Sequence, residues 1–161
     1  MSIDSKLAEL GITLPEAPKP VASYVPCVRT GNLLFVAGQI PMSKGALTTV
    51  GRVGSSSGTD ASERRVSVDA AQLAARQCAI NALAVIKAEI GSLDRVVRIV
   101  KLGVFVACDP DFAAHPQVAN GASDLLISIF GDKGRHARAA VGAPSLPLNA
   151  SVEVDMIVEV A

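Results

Sequence analysis

The sequence has no tryptophan, one tyrosine and four phenylalanines, and no surplus of either charge: 15 Lys and Arg are balanced by 15 Asp and Glu. A protein that grips phosphate backbones carries a basic excess, and a platform for single-stranded bases needs aromatic faces to stack on. Both are lacking, so nucleic acid is not an expected partner. Only three cysteines occur, Cys27, Cys78 and Cys108, far apart and without a CxxC pair. That spacing excludes a disulfide framework and a cysteine-based zinc site. The three thiols are expected to pack as small core residues. No apolar run approaches the ~20 residues that a membrane span needs, and the N-terminus shows no basic segment leading into an apolar stretch. The expectation is a cytoplasmic protein with no membrane partner, on which the Asn149-Ala150-Ser151 sequon carries no glycan.

What is present is apolar: half of the 161 residues are hydrophobic. A chain of this length can bury roughly two-thirds of its unfolded surface in one domain, here residues 1–161, without metals or disulfides. Ser2 can cap a short helix on which Ile3, Leu7 and Leu10 recur, with Gly11 as its stop. Pro15, Pro18 and Pro20 then predict an extended arm, so that residues 1–20 form a helix and arm ahead of the body. Residues 24–29 and 33–37 read as strands around the turn Thr30-Gly31-Asn32. Residues 43–66 change character: Gly45, Gly51, Gly54 and Gly58 alternate with Ser55-Ser56-Ser57 and a Glu63-Arg64-Arg65 cluster. No Lys-Ser/Thr follows these glycines and no helix opens on them, which excludes a phosphate cradle. A long mobile or partner-contacting loop is expected, with a short ribbon at 47–53.

Ser67 caps the main helix and Gly91 closes it; Val68, Ala71, Ala75, Cys78, Ala79, Ala82 and Ile86 form one small-residue stripe suited to lying close on a sheet. Residues 96–107 read as a long central strand. After Asp109-Pro110-Asp111, Pro116 starts a second helix with the stripe Val118, Ala122, Leu125 and Ile129, ended by Gly131; His115 is expected to be a local cap or surface residue. Residues 136–142 and 152–160 read as strands joined by a proline-containing loop. The order β-β-α-β-α-β-β predicts an α+β fold with both helices on one face of a mixed sheet, the other face solvated or buried against further copies. In the last strand Val152, Val154, Met156, Val158 and Val160 point one way and Glu153, Asp155, Ile157 and Glu159 the other. Three carboxylates on one face need water or cations. A hairpin of the last two strands would bring His136, Arg138 and Ala140 beside them. Arg138 would then either tie the hairpin to Glu153 and Asp155 as an ion pair or present a fork for a substrate carboxylate while a nearby Glu polarises water.

The stretches Gly31-Asn32-Leu33-Leu34-Phe35-Val36-Ala37-Gly38-Gln39-Ile40-Pro41 and Ala137-Arg138-Ala139-Ala140-Val141, followed by Leu146-Pro147 and Val152-Glu153-Val154-Asp155, resemble the Rid (reactive intermediate deaminase) or YjgF family, also called endoribonuclease L-PSP. The likeness extends over residues 20–160. It implies a chorismate-mutase-like fold that assembles as a homotrimer, with bare sheet faces packed together and three clefts between subunits. It further implies hydrolysis of small 2-imino or 2-enamino acids to 2-keto acids and ammonia, with no metal and no organic cofactor. By position, Arg138 matches the arginine that holds the substrate carboxylate, Glu153 the glutamate that orients water, Tyr24 an aromatic hydroxyl at the cleft, and Asn120 a polar cleft residue. Backbone groups of Ala139 and Ala140 would orient the imine nitrogen. The sequence departs from many active relatives at Ala140, where they carry Cys, and at Ala37, where they carry Ser. It is also longer at 43–66 and 112–120, which marks a divergent subgroup. His136 has no counterpart and reads either as a hydrogen-bonded surface or interface residue or as a second proton carrier. The leading expectation is an imine/enamine deaminase. A non-catalytic trimer that binds or senses small carboxylates is the alternative, and an L-PSP-type ribonuclease stands third, disfavoured by neutral charge and scarce aromatics.

Overall fold

The computed structural model describes residues 2–18, 23–54 and 65–161. In chain order the elements are α1 (Ile3–Glu9), β1 (Cys27–Thr30), β2 (Leu33–Gln39), β3 (Met42–Ser43), β4 (Ala46–Leu47), α2 (Val68–Ile90), β5 (Val96–Ala107), α3 (His115–Phe130), β6 (Ala137–Ala143) and β7 (Val152–Val160). One sheet runs β1-β2-β7-β5-β6, and β3 and β4 form a small separate ribbon. Within the sheet all neighbours are antiparallel except β5 and β6. Among the described residues no helix is long and apolar enough to cross a membrane.

The alternation of β7 organises the core. Val152, Val154, Met156, Val158 and Val160 are at most 2 % exposed, and the residues between them are half-buried on the opposite face. A strand lined by β-branched residues on one side and neighboured on both edges is suited to the middle of a sheet, and β7 lies there, between β2 and β5. Helices α2 and α3 cover the valine face, as expected, and leave the other face bare. Helix α2 starts where Ser67 Oγ accepts from Ala70 N and stops at Gly91, whose φ of +80° is a left-handed conformation that favours glycine. From Cys78 to Ile86 it is buried on every side, because small side chains let the sheet, α3 and the ribbon all approach its axis. The approach of α3 is close enough that a Cβ on Gly121 would overlap the carbonyl of Gln72.

The last two strands do not form a hairpin. Strand β6 pairs in parallel with β5, and β5 separates it from β7. The β5-α3-β6 crossover explains this: a helix-length connection returns the chain parallel to its first strand, leaving β6 on the edge. The cross-strand pair expected between Arg138 and Glu153 or Asp155 is therefore absent. The first strand begins at Cys27, leaving Tyr24 in the preceding loop. The ribbon lies at 42–47 rather than 47–53, while Val50 bridges to Ala150 and Val53 to Val66 and Cys108. Helix α3 opens one residue before Pro116, with Ala114 at its cap and no side-chain cap bond. His115 instead lies 3.4 Å from Cys108 Sγ and edge-on to Phe112. Of the long loop, the described ends are held on Asp109, whose carboxylate accepts from Arg65 at 2.7 Å and Arg52 at 3.2 Å. Pro20, Ser55-Ser56-Ser57, Gly58, Glu63 and Arg64 lie outside the described residues.

Candidate active site

Arg138 stands on the edge strand β6, in register with Leu102, which is itself in register with the buried Met156. Paired residues share a face, so Arg138 lies on the helix-covered side, at its rim. Helix α3 meets it there. Arg138 Nη1 donates to Asn120 Oδ1 at 2.9 Å and to Ser123 Oγ at 3.0 Å. A guanidinium has five N–H donors in a rigid fork. These two bonds use both Nη1 protons and leave Nε–H and the two Nη2 protons. The Nε–Nη2 edge is the one that can grip a carboxylate bidentately. Among the described residues no carboxylate faces it.

Glu153 stands on β7 between the buried Val152 and Val154, so its side chain lies on the bare face of the sheet. Phe105 and Val141 continue its row toward β6. Its carboxylate lies against Gly38 so closely that a Cβ there would overlap Oε1. Burial, and then the nearby Asp155, push the Glu153 carboxyl above its usual pKa. It has no hydrogen-bond or ion-pair partner among the described residues, and neither has Asp155, whose Oδ1 occupies the space a Cβ on Gly103 would take. Tyr24 is 52 % exposed and lines, with Gly38, Gln39, Ile40 and Arg76, a cavity of about 830 Å³ beneath the N-terminal arm. The backbone that carries Gly38 is pinned from α2: Asn81 Nδ2 donates to Ile40 O and Met42 O, both at 3.0 Å, and Gln77 Nε2 donates to Asn81 Oδ1 at 2.9 Å.

Residues 4–160 match the YjgF/chorismate mutase-like endoribonuclease family model. The chain belongs to this family. Protein TCP17 of Trypanosoma cruzi is 44% identical over 98% of this YjgF-family chain and 93% of its own length. A 2-iminobutanoate/2-iminopropanoate deaminase of Dermatophagoides farinae is 29% identical over 91% and 93%. Among solved structures, the protein Atu1372 of Agrobacterium tumefaciens, described as of unknown function, is 49% identical, covers 99% of this chain with 92% of its own and superposes with a TM-score of 0.87.

In this YjgF-family chain the residues read from sequence fall into two groups. Asn120 and Arg138 come together, with Ala140 on the same side of β6 and Ala139 on the opposite one. Glu153, on β7, lies against Gly38 of β2, and Tyr24 lines the cavity that Gly38 also lines, to which Glu153 does not contribute. One chain does not unite the groups: Arg138 and Glu153 face opposite sides of the sheet. Two residues were missed by sequence reasoning, Ser123 and Asn81, both buried polar groups. A polar residue set within an apolar helical stripe is the signal that could have found them, since it must be paired where it is buried. His136 is bonded to Ser123 and Gly134, as a hydrogen-bonded residue beside the site. Among the described residues no three His, Cys, Asp or Glu gather to hold a metal.

Proposed function

We propose that this chain hydrolyses small 2-imino or 2-enamino acids to the 2-keto acid and ammonia, at clefts where Arg138 of one copy meets Glu153 of another in a homotrimer. The observation that carries the reading is the pair of half-sites on opposite sheet faces: among the described residues, a free guanidinium fork with no carboxylate, and a half-buried carboxylate with no cation. Each supplies what the other lacks, and only a second copy can bring them together. The bare face supports the same assembly. Val28, Phe35 and Ile157 are in register across β1, β2 and β7 on that side, and Val28 and Phe35 are 52 % and 43 % exposed. An apolar row of this kind is suited to burial between copies. The family membership and the imino-acid deaminase relative point to the substrate class.

In this mechanism the Nε–Nη2 edge of Arg138 binds the substrate carboxylate and fixes the adjacent imine carbon. Backbone groups of the edge strand β6 around Ala139 and Ala140 receive the imine nitrogen. Glu153, raised in pKa toward the range of an effective general base, takes a proton from water as the oxygen attacks the carbon. An enamino acid first tautomerises to the imine, gaining a proton at C3 and losing one from nitrogen; proton return to nitrogen and collapse of the carbinolamine then break the C–N bond and release ammonia. No redox step is needed, since water supplies the oxygen. A second reading, a trimer that binds carboxylates without turnover, is favoured by Ala37 and Ala140, neither of which offers a polar side chain beside the halves.

Ammonia and pyruvate release from freshly generated 2-aminoacrylate, with 2-oxobutyrate binding by calorimetry, separates the two. Glu153→Gln should lose about 10²-fold in turnover and keep its affinity for 2-oxobutyrate. Arg138→Ala should bind it about 10²-fold more weakly. Intact binding with no wild-type turnover on small and bulky imino acids would favour the binding protein.

A further inference from the structure

Behind the guanidinium of Arg138 lies a line of hydrogen bonds that the mechanism does not use. His136 Nδ1 is 2.7 Å from Gly134 O, and His136 Nε2 is 3.0 Å from Ser123 Oγ. Ser123 Oγ is in turn 3.0 Å from Arg138 Nη1. The direction of each bond follows from what each atom can do. A carbonyl only accepts, so the proton of the neutral imidazole belongs on Nδ1. Nε2 is then a lone pair, and Ser123 gives its single hydroxyl proton to it. That turns an oxygen lone pair of Ser123 toward Arg138, and an acceptor is the only partner a guanidinium can use. Ser123 is only 8 % exposed, so little water can replace any of these partners.

The backbone holds each member in place. Asn120 and Ser123 are three residues apart on α3 and share one face. Gly134 packs so tightly on α3 that a Cβ would overlap the carbonyl of Leu126, which fixes the carbonyl that orients His136.

We propose that Ser123 and His136 are positioning residues for Arg138: by committing the second Nη1 proton, they leave the Nε–Nη2 edge as the only bidentate face and aim it out of the protein. The proposal rests on Arg138 being the carboxylate-binding group. Without Ser123 or its alignment by His136, the exposed arginine regains rotamers, and a fork that is free to turn binds a planar carboxylate less well.

The test compares 2-oxobutyrate with the neutral 2-oxobutyramide by calorimetry, because a positioning residue for a carboxylate fork affects only the acid. Ser123→Ala should weaken 2-oxobutyrate about tenfold and leave the amide within about twofold. His136→Asn keeps a donor for Gly134 O but offers Ser123 nothing, and should weaken the acid about fivefold; His136→Gln, which returns an acceptor toward Ser123, should recover most of that. Nitrogen-15 NMR of the wild type should find His136 protonated at Nδ1. Equal weakening of acid and amide, an Nε2–H tautomer, or wild-type acid affinity in both Ser123→Ala and His136→Asn would overturn the proposal while Arg138→Ala still weakens acid binding about 10²-fold. Retention of acid affinity by Arg138→Ala would instead overturn the carboxylate reading, and this inference with it.

Discussion

Gly38 has no left-handed φ, so its missing side chain matters for space alone. A methyl group there would overlap Glu153 Oε1, the free end of a flexible side chain that can swing aside. Gly38→Ala should therefore cost the fold less than about 1 kcal/mol. For the proposed chemistry the same swing is severe, because a base displaced by about an ångström can cost 10²-fold in rate. Stability by denaturant titration and turnover on 2-aminoacrylate, measured on the same variant, should diverge accordingly; parallel losses would mean that Gly38 serves the fold. The raised pKa of Glu153 gives a second residue-scale test. A general base works ionised, so kcat/KM should rise with pH as Glu153 loses its proton, and Glu153→Gln should abolish that acid limb. Burial is the larger cause and Asp155 the smaller, so Asp155→Asn should shift the limb toward acid without abolishing it.

At the scale of the elements, the contact of α2 with α3 depends on Gly121. Alanine there would gain helix propensity worth up to about 1 kcal/mol, but its Cβ would strike the backbone carbonyl of Gln72, which cannot rotate away. Overpacking against backbone costs about 1–3 kcal/mol, so Gly121→Ala should lower the denaturant midpoint in spite of the better helix former. An unchanged or higher midpoint would mean that the helices can separate freely. These helices were legible in the sequence because their signals are local: Ser67 and Gly91 bound α2 where they were expected to, and the small-residue stripe marks the sheet-facing side. Strands β5 and β7 were legible to the residue, from dense β-branching and strict alternation. The pairing of β6 was not. Two apolar runs joined by a short loop suggest a hairpin, whereas the partner of β6 was set by the preceding crossover through α3. The seven residues of β6, exposed or half-exposed throughout, carried the sign of an edge strand, and the evenly buried valines of β7 the sign of a central one.

For the whole molecule, the identities of the site residues were legible through resemblance, but their arrangement was not. Arg138 and Glu153 stand in the matched motifs, yet period-2 alternation fixes only which residues of one strand share a face. It does not relate the faces of two strands whose pairing is unknown. The order β2-β7-β5-β6 puts Glu153 and Arg138 on opposite faces with β5 between their strands, and no side-chain motion within one chain reverses a sheet face.

This separation has a genetic consequence. If every site draws its arginine from one chain and its glutamate from the next, Arg138→Ala and Glu153→Gln are defects in different halves of the site. Each variant alone is impaired, but equal co-expression of the two should assemble mixed trimers. A site is intact when a Glu153→Gln chain supplies the arginine and an Arg138→Ala chain the glutamate, which random assembly gives in about a quarter of sites. Turnover near one-quarter of wild type from two impaired parents would show that the site spans two chains. No recovery from verified mixed trimers would place arginine and glutamate function within one polypeptide.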